Sequence, residues 1–125
     1  IFLISPTTPE PRVQKIVEWA RGFIYYVAVK GVTGSGQLDT DEVARSVSLI
    51  RDKTALPIAV GFGIKDAASA SAVAASADAV VVGSALIAEM EQKAHSAEDL
   101  EEIQIHGAAV QLLQSIRAGV DSSPS

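Results

Sequence analysis

The chain has 125 residues, enough for one compact domain and too few for two. Hydrophobic residues make up 48% and charged residues 20%, the balance of a globular chain with a sizeable core. A net charge of −5 argues against nucleic acid as a partner, and the lack of cysteine excludes disulfides and thiolate metal sites. No apolar run approaches membrane-spanning length and the first residues show no basic region or cleavage pattern, so a cytoplasmic setting is expected.

Ile1 to Ile4 is a continuous apolar run, which predicts a parallel strand buried on both faces. A chain that opens on Ile inside such a strand reads as a fragment whose upstream part is missing; a processed mature chain is the alternative. Ser5-Pro6-Thr7-Thr8-Pro9 is a turn, with Thr8 expected as N-cap and Pro9 at the first helical position. The helix runs to about Ala20 with a stripe of Val13, Ile16, Val17 and Ala20, and Gly22 stops it.

Phe23 to Val29 is a second strand, rich in aromatic and β-branched residues. Tyr25 and Tyr26 must then point to opposite faces, with Tyr26 toward helices. Lys30 to Asp39 holds three glycines and two hydroxyl residues and reads as a mobile loop. Asp39, Thr40 or Asp41 caps the next helix, whose stripe is Val43, Val47 and Ile50. Pro57 to Gly61 is a third strand that ends in Gly61-Phe62-Gly63. Asp66 caps a short, alanine-rich helix that turns Ala70, Val73 and Ala74 inward.

Ala79 to Val82 is a fourth strand, followed by Gly83-Ser84-Ala85 and a helix to about Lys93. Ser96-Ala97-Glu98-Asp99 resembles a capping box that opens a last helix carrying Leu100, Ile103, Val110, Leu113 and Ile116. Residues 120–125 are assigned to a disordered polar tail, beyond a domain at residues 1–119. His95 and His106 lie far in sequence from the glycine turns and read as surface residues, Asp78 as a loop residue. The acidic cluster around Glu98 suits a helix start.

The order is thus β-α four times plus one helix, which implies an α/β fold of parallel strands with right-handed crossovers. Four such strands make a small open sheet or half of a (βα)8 barrel. Two adjacent strand ends close on glycine, and a short helix follows the last. Free N–H groups at a helix start, reached across bare glycine backbone, suit a phosphate. In (βα)8 barrels the phosphate site lies in the loops after strands seven and eight, so the reading favours the C-terminal half of a TIM barrel, (βα)4 plus an extra helix. Taken alone, Gly61 and Gly63 fit a plain tight turn equally well.

The ordered set Tyr25, Gly31-Val32-Thr33-Gly34, Gly61-Phe62-Gly63-Ile64 and Gly83-Ser84-Ala85 resembles the C-terminal half of the tryptophan synthase alpha chain family. Ile1-Phe2-Leu3-Ile4-Ser5-Pro6-Thr7-Thr8-Pro9 resembles that family's fifth strand and the turn after it. The resemblance implies a lyase that cleaves indole-3-glycerol phosphate to indole and glyceraldehyde 3-phosphate without a cofactor. It implies a beta subunit as partner, in a heterotetramer. By position, it implies phosphate held at Gly34, Gly63, Gly83 and Ser84, and an indole pocket of Leu3, Phe62 and Val81. Tyr25 would stand beside the reacting carbon chain as an auxiliary group, and Thr33 in a short lid loop. The family's two essential carboxylates would fall upstream of Ile1, so these residues alone should not turn over. Rival readings are another phosphate-binding barrel, of indole-glycerol-phosphate synthase or phosphoribosyl isomerase type, and a non-catalytic half-barrel module. A half-barrel leaves two strand edges and one apolar face bare, so a dimer, an aggregate or a partly folded chain is expected of the 125-mer.

Overall fold

A computed structural model describes residues 1–28, 39–61, 63–96 and 102–123. Its elements alternate: β1 (Phe2–Ile4), α1 (Glu10–Trp19), β2 (Ile24–Val27), α2 (Thr40–Arg51), β3 (Ile58–Gly61), α3 (Ala67–Ala74), β4 (Ala79–Val81), α4 (Ser84–His95) and α5 (Glu102–Asp121). The four strands form one sheet in sequence order, every neighbour parallel. Thr33, Gly34, Phe62, Leu100 and most of the expected capping box lie outside the described residues.

Strand register sorts the side chains into two faces. Leu3, Tyr25, Ala59 and Ala79 stand side by side, and Val27, Gly61 and Val81 form the next row on the same face. The alternate positions carry Ile4, Tyr26, Val60 and Val80, with Ile24 and Ile58 one row below. That second face meets the helices. Ile4, Ile24, Tyr26, Ile58 and Val60 are buried there with Val13 of α1, Val43, Val47 and Ile50 of α2, Ala70 and Val73 of α3, and Ile116 of α5. The helical stripes expected for α1, α2 and α3 supply this layer.

Caps explain where the helices start. The Asp39 carboxylate accepts the N–H groups of Asp41 and Glu42, which selects it among the three expected candidates. Asp66 accepts the Ser69 N–H at 2.8 Å, and the Ser69 hydroxyl accepts the Asp66 N–H in return, a full capping box. At α1 the expectation fails. Thr8 Oγ1 accepts the Ser5 N–H at 3.0 Å and so closes the preceding turn, while Pro9 is the N-cap and brings no side-chain bond.

Three other expectations change. Strand β1 is not buried on both faces: Phe2 is 40% and Leu3 59% exposed, because among the described residues β1 is an outer strand of the sheet. Helix α5 is rotated from the expected stripe. Ile116 is buried, with Leu112 and Val120 packed against the core, whereas Val110 and Leu113 are about half exposed. The cause is Gly119, whose missing Cβ lets α5 rest on the backbone of Ala67; a Cβ there would stand 2.9 Å from the Ala67 carbonyl carbon. Helix α5 also runs on to Asp121, inside the stretch assigned to the tail, and the Ser123 hydroxyl donates to Ser71 O at 3.1 Å.

Candidate functional site

In a parallel sheet all strands end on one side, and loops at that side can converge on a ligand. Strand β3 ends at Gly61. Gly63 in the following turn has φ +79°, a left-handed conformation that glycine adopts without strain. The neighbouring β4 ends at Val81, and Gly83 is the N-cap of α4. The two glycine turns therefore sit at adjacent strand ends.

The helix starts at those two ends differ. At α3, the Asp66 carboxylate already occupies the helix N-terminus, and its bonds to the Ser69 hydroxyl and N–H hold it below the ordinary carboxylate value. At α4 no side chain caps the helix. Leu86 and Ile87 donate back to Gly83 O, so the amides of Ser84 and Ala85 are left at the open end of the helix. The Ser84 side chain stands exposed at the same end. An exposed helix start that no carboxylate caps among the described residues, with an adjacent hydroxyl, attracts an anion.

Tyr25 lies on the inner face, half-buried, with its ring over Gly61. A Cβ on Gly61 would meet the phenol, 2.7 Å from Tyr25 Cζ. Gly61 therefore serves less as a turn residue than as the floor beneath this ring, a role that the turn reading missed. The alternation of strand positions carries the signal, since it places Tyr25 and Gly61 on one face in neighbouring strands. Leu3 and Val81 share that face and are exposed, so three of the expected site residues sit around one surface. Tyr26 points the other way. Burial raises its phenol above the ordinary value, against a hydrogen bond from Ser46.

Asp78 proves to be more than a loop residue. Its Oδ2 accepts the Ile58 N–H at 2.8 Å and the Arg51 guanidinium at 2.9 Å. Partial burial pushes this carboxyl up, but those two donors outweigh it and hold it below the ordinary value. Asp78 ties the starts of β3 and β4 to the end of α2, at the sheet end opposite the glycine turns. Among the described residues, no three His, Asp or Glu side chains are grouped to hold a metal ion.

The family pattern described as tryptophan synthase alpha chain matches residues 1–115. The chain belongs to the tryptophan synthase alpha chain family. It is 52% identical over 122 residues to the tryptophan synthase alpha chain of Bordetella pertussis, covering 97% of this chain and 43% of that one. It is 54% identical over 124 residues to that of Thiobacillus denitrificans, covering 98% and 42%. Among solved structures, the tryptophan synthase alpha chain of Legionella pneumophila superposes with a TM-score of 0.75 at 35% identity, covering all of this chain and 43% of that one. Tryptophan synthase from M. tuberculosis in an aminoacrylate-bound form superposes with a TM-score of 0.72 at 25% identity, covering 95% and 39%. The chain thus spans less than half the length of these members of the tryptophan synthase alpha chain family. Its four-stranded parallel sheet and helices are a half-barrel of their TIM fold.

Proposed function

We propose that this chain is the phosphate-binding part of a tryptophan synthase alpha subunit, a lyase that cleaves indole-3-glycerol phosphate to indole and glyceraldehyde 3-phosphate. One observation carries the reading: an uncapped α4 start lies at the strand ends of an apolar face that bears a single phenol, Tyr25. The substrate's phosphate would rest on the amides of Ser84 and its neighbour, with the Ser84 hydroxyl and the Gly63 turn beside it. Leu3 and Val81 would flank the indole ring, and Tyr25 the glycerol chain between ring and phosphate. Phe62 would join the indole pocket, and Thr33 and Gly34 the lid and phosphate site, by resemblance to the family.

The retro-aldol step needs C3 of the indole protonated, the ring N–H withdrawn and a glycerol hydroxyl deprotonated. Carboxylates do such work when held in position. No Asp or Glu occupies the described strand positions of the inner face. In this reading these residues bind and orient, and the acid–base groups come from polypeptide beyond them. The partner would be a tryptophan synthase beta subunit, in a heterotetramer, and the setting the cytoplasm. No helix of the described residues is long and apolar enough to cross a membrane.

The anion site is tested by calorimetric titration of the 125-residue chain with glycerol 3-phosphate, beside Gly83→Asp, with far-UV circular dichroism on both. Aspartate there would fill the α4 start as Asp66 fills that of α3. Saturable binding by the parent chain, weakened on the order of tenfold or more in Gly83→Asp, is the expected result. Equal affinity in two folded chains would refute the site.

A further inference from the structure

The outer, helix-covered face of the sheet has a break in its packing that the proposed reaction leaves unused. Between α1 and α2 a cleft of about 130 Å³ opens onto the ends of β1 and β2. Ile4, Val13 and Ile50, all buried, make its floor, and Leu49, which is exposed, stands on its rim. Hydroxyl groups enter it from two elements. Ser5 and Thr8, 3.2 Å apart, hold each other in the turn before α1, and Ser46 of α2 is bonded to the Tyr26 phenol. The lining also carries one charge of each sign: Lys53, just past the end of α2, donates to Glu10 Oε1 at 2.6 Å.

We propose that this cleft binds a small aliphatic amino acid as its zwitterion, with the ligand's carboxylate on Lys53, its ammonium group on Glu10 and its side chain on the apolar floor. The pair of opposite charges selects that class. A zwitterion that separates Glu10 from Lys53 gives each a new partner, whereas a simple anion or cation satisfies one and strands the other. The pair is also easy to open. Glu10 is 71% exposed and Lys53 25%, so Glu10 is the arm that moves, and an ion pair with one exposed arm contributes little to stability. The floor sets the side chain. A cavity of roughly 150 Å³ admits benzene, so a cleft slightly smaller than that takes an aliphatic group of about four carbons.

The hydroxyls suit the ligand's ionised ends, because each can donate to a carboxylate or accept from an ammonium group. The cleft stands between two consecutive helices of the chain, behind the sheet from Tyr25 and away from the α4 start. The inference is therefore independent of the proposed substrate.

Titration of the isotope-labelled 125-residue chain with L-valine, followed by NMR, tests it. Saturable shifts at Ser5, Ser46 and Lys53 are expected, with a dissociation constant on the order of 1 mM. Isovalerate and isobutylamine keep the branched side chain with one charge each, and both should bind about tenfold more weakly than L-valine. Glu10→Gln and Lys53→Gln each leave one end of the ligand without its charged partner. Each should weaken L-valine about tenfold and leave the affinity for glycerol 3-phosphate at the parent value. Neither side chain is buried, so both variants should keep the parent's circular dichroism. The proposal is overturned by the absence of saturable shifts well above that concentration, or by shifts centred on Ser84 instead of the cleft. Equal binding of isovalerate or isobutylamine, or indifference to both variants in folded chains, would also overturn it.

Discussion

Ile24, Ile58 and Val60 leave the sheet toward the helices and are fully buried, whereas Leu3 and Val81, on the alternate rows, stand 59% and 36% exposed. The two faces are equally apolar in composition and differ in what covers them. The outer face is filled by stripes from α1, α2, α3 and α5, and it holds the fold together. The inner face carries small residues, Ala59, Gly61 and Ala79, around one tyrosine. Tyr25 and Tyr26 show the division at a single step of chain. One ring lies over Gly61 on the inner face, and the other is sealed among the helices.

Substitutions can break this division or sharpen it. The largest effect is expected on the outer face: Ile58→Ala should cost about 2–5 kcal/mol, read as a lower urea midpoint, because the site is fully buried between sheet and helices. Gly119→Ala should cost about 1–3 kcal/mol, since the added methyl strikes the Ala67 backbone and pushes α5 off α3. Asp78→Asn should cost about 1 kcal/mol near neutral pH, discounted for its partial exposure. Its folded value is lowered, so its contribution is present above the ordinary carboxylate value and is lost as pH falls from there through the lowered folded value. Urea midpoints of parent and variant should therefore converge only as pH falls below the ordinary carboxylate range.

On the inner face the sign of the comparison reverses. Gly61→Ala meets the mobile end of the Tyr25 ring rather than packed core, so its stability cost should fall below that of Ile58→Ala. It should still displace the phenol and weaken binding of indole-3-glycerol phosphate by the complemented protein about tenfold, measured by titration. The smallest stability effect is expected for Leu3→Ser, within about 0.5 kcal/mol in the urea midpoint, because Leu3 is largely exposed.

Much of the outer face was legible in the sequence. Val43, Val47 and Ile50 at helical spacing, and Asp39 and Asp66 ahead of their helices, are local signals that tertiary packing had no reason to override. The α5 stripe was not legible, because its rotation is set by Gly119 meeting Ala67, a contact between residues far apart in sequence. Thr8 was misread for a similar reason: its hydroxyl could cap α1 or close the Ser5 turn, and the turn was nearer. The glycines of the candidate site were visible as turns. The separate purpose of Gly61 needed the register of β2 on β3, which no local pattern encodes.

The central claim is that the inner face binds and orients a substrate whose acid–base chemistry comes from elsewhere in a complete barrel. The most direct test is indole release from indole-3-glycerol phosphate by the 125-residue chain, alone and with the preceding half of a relative supplied as a separate polypeptide. Release only on adding that half is the predicted result. Release by the chain alone would contradict the account, and so would a folded, associated pair that releases none.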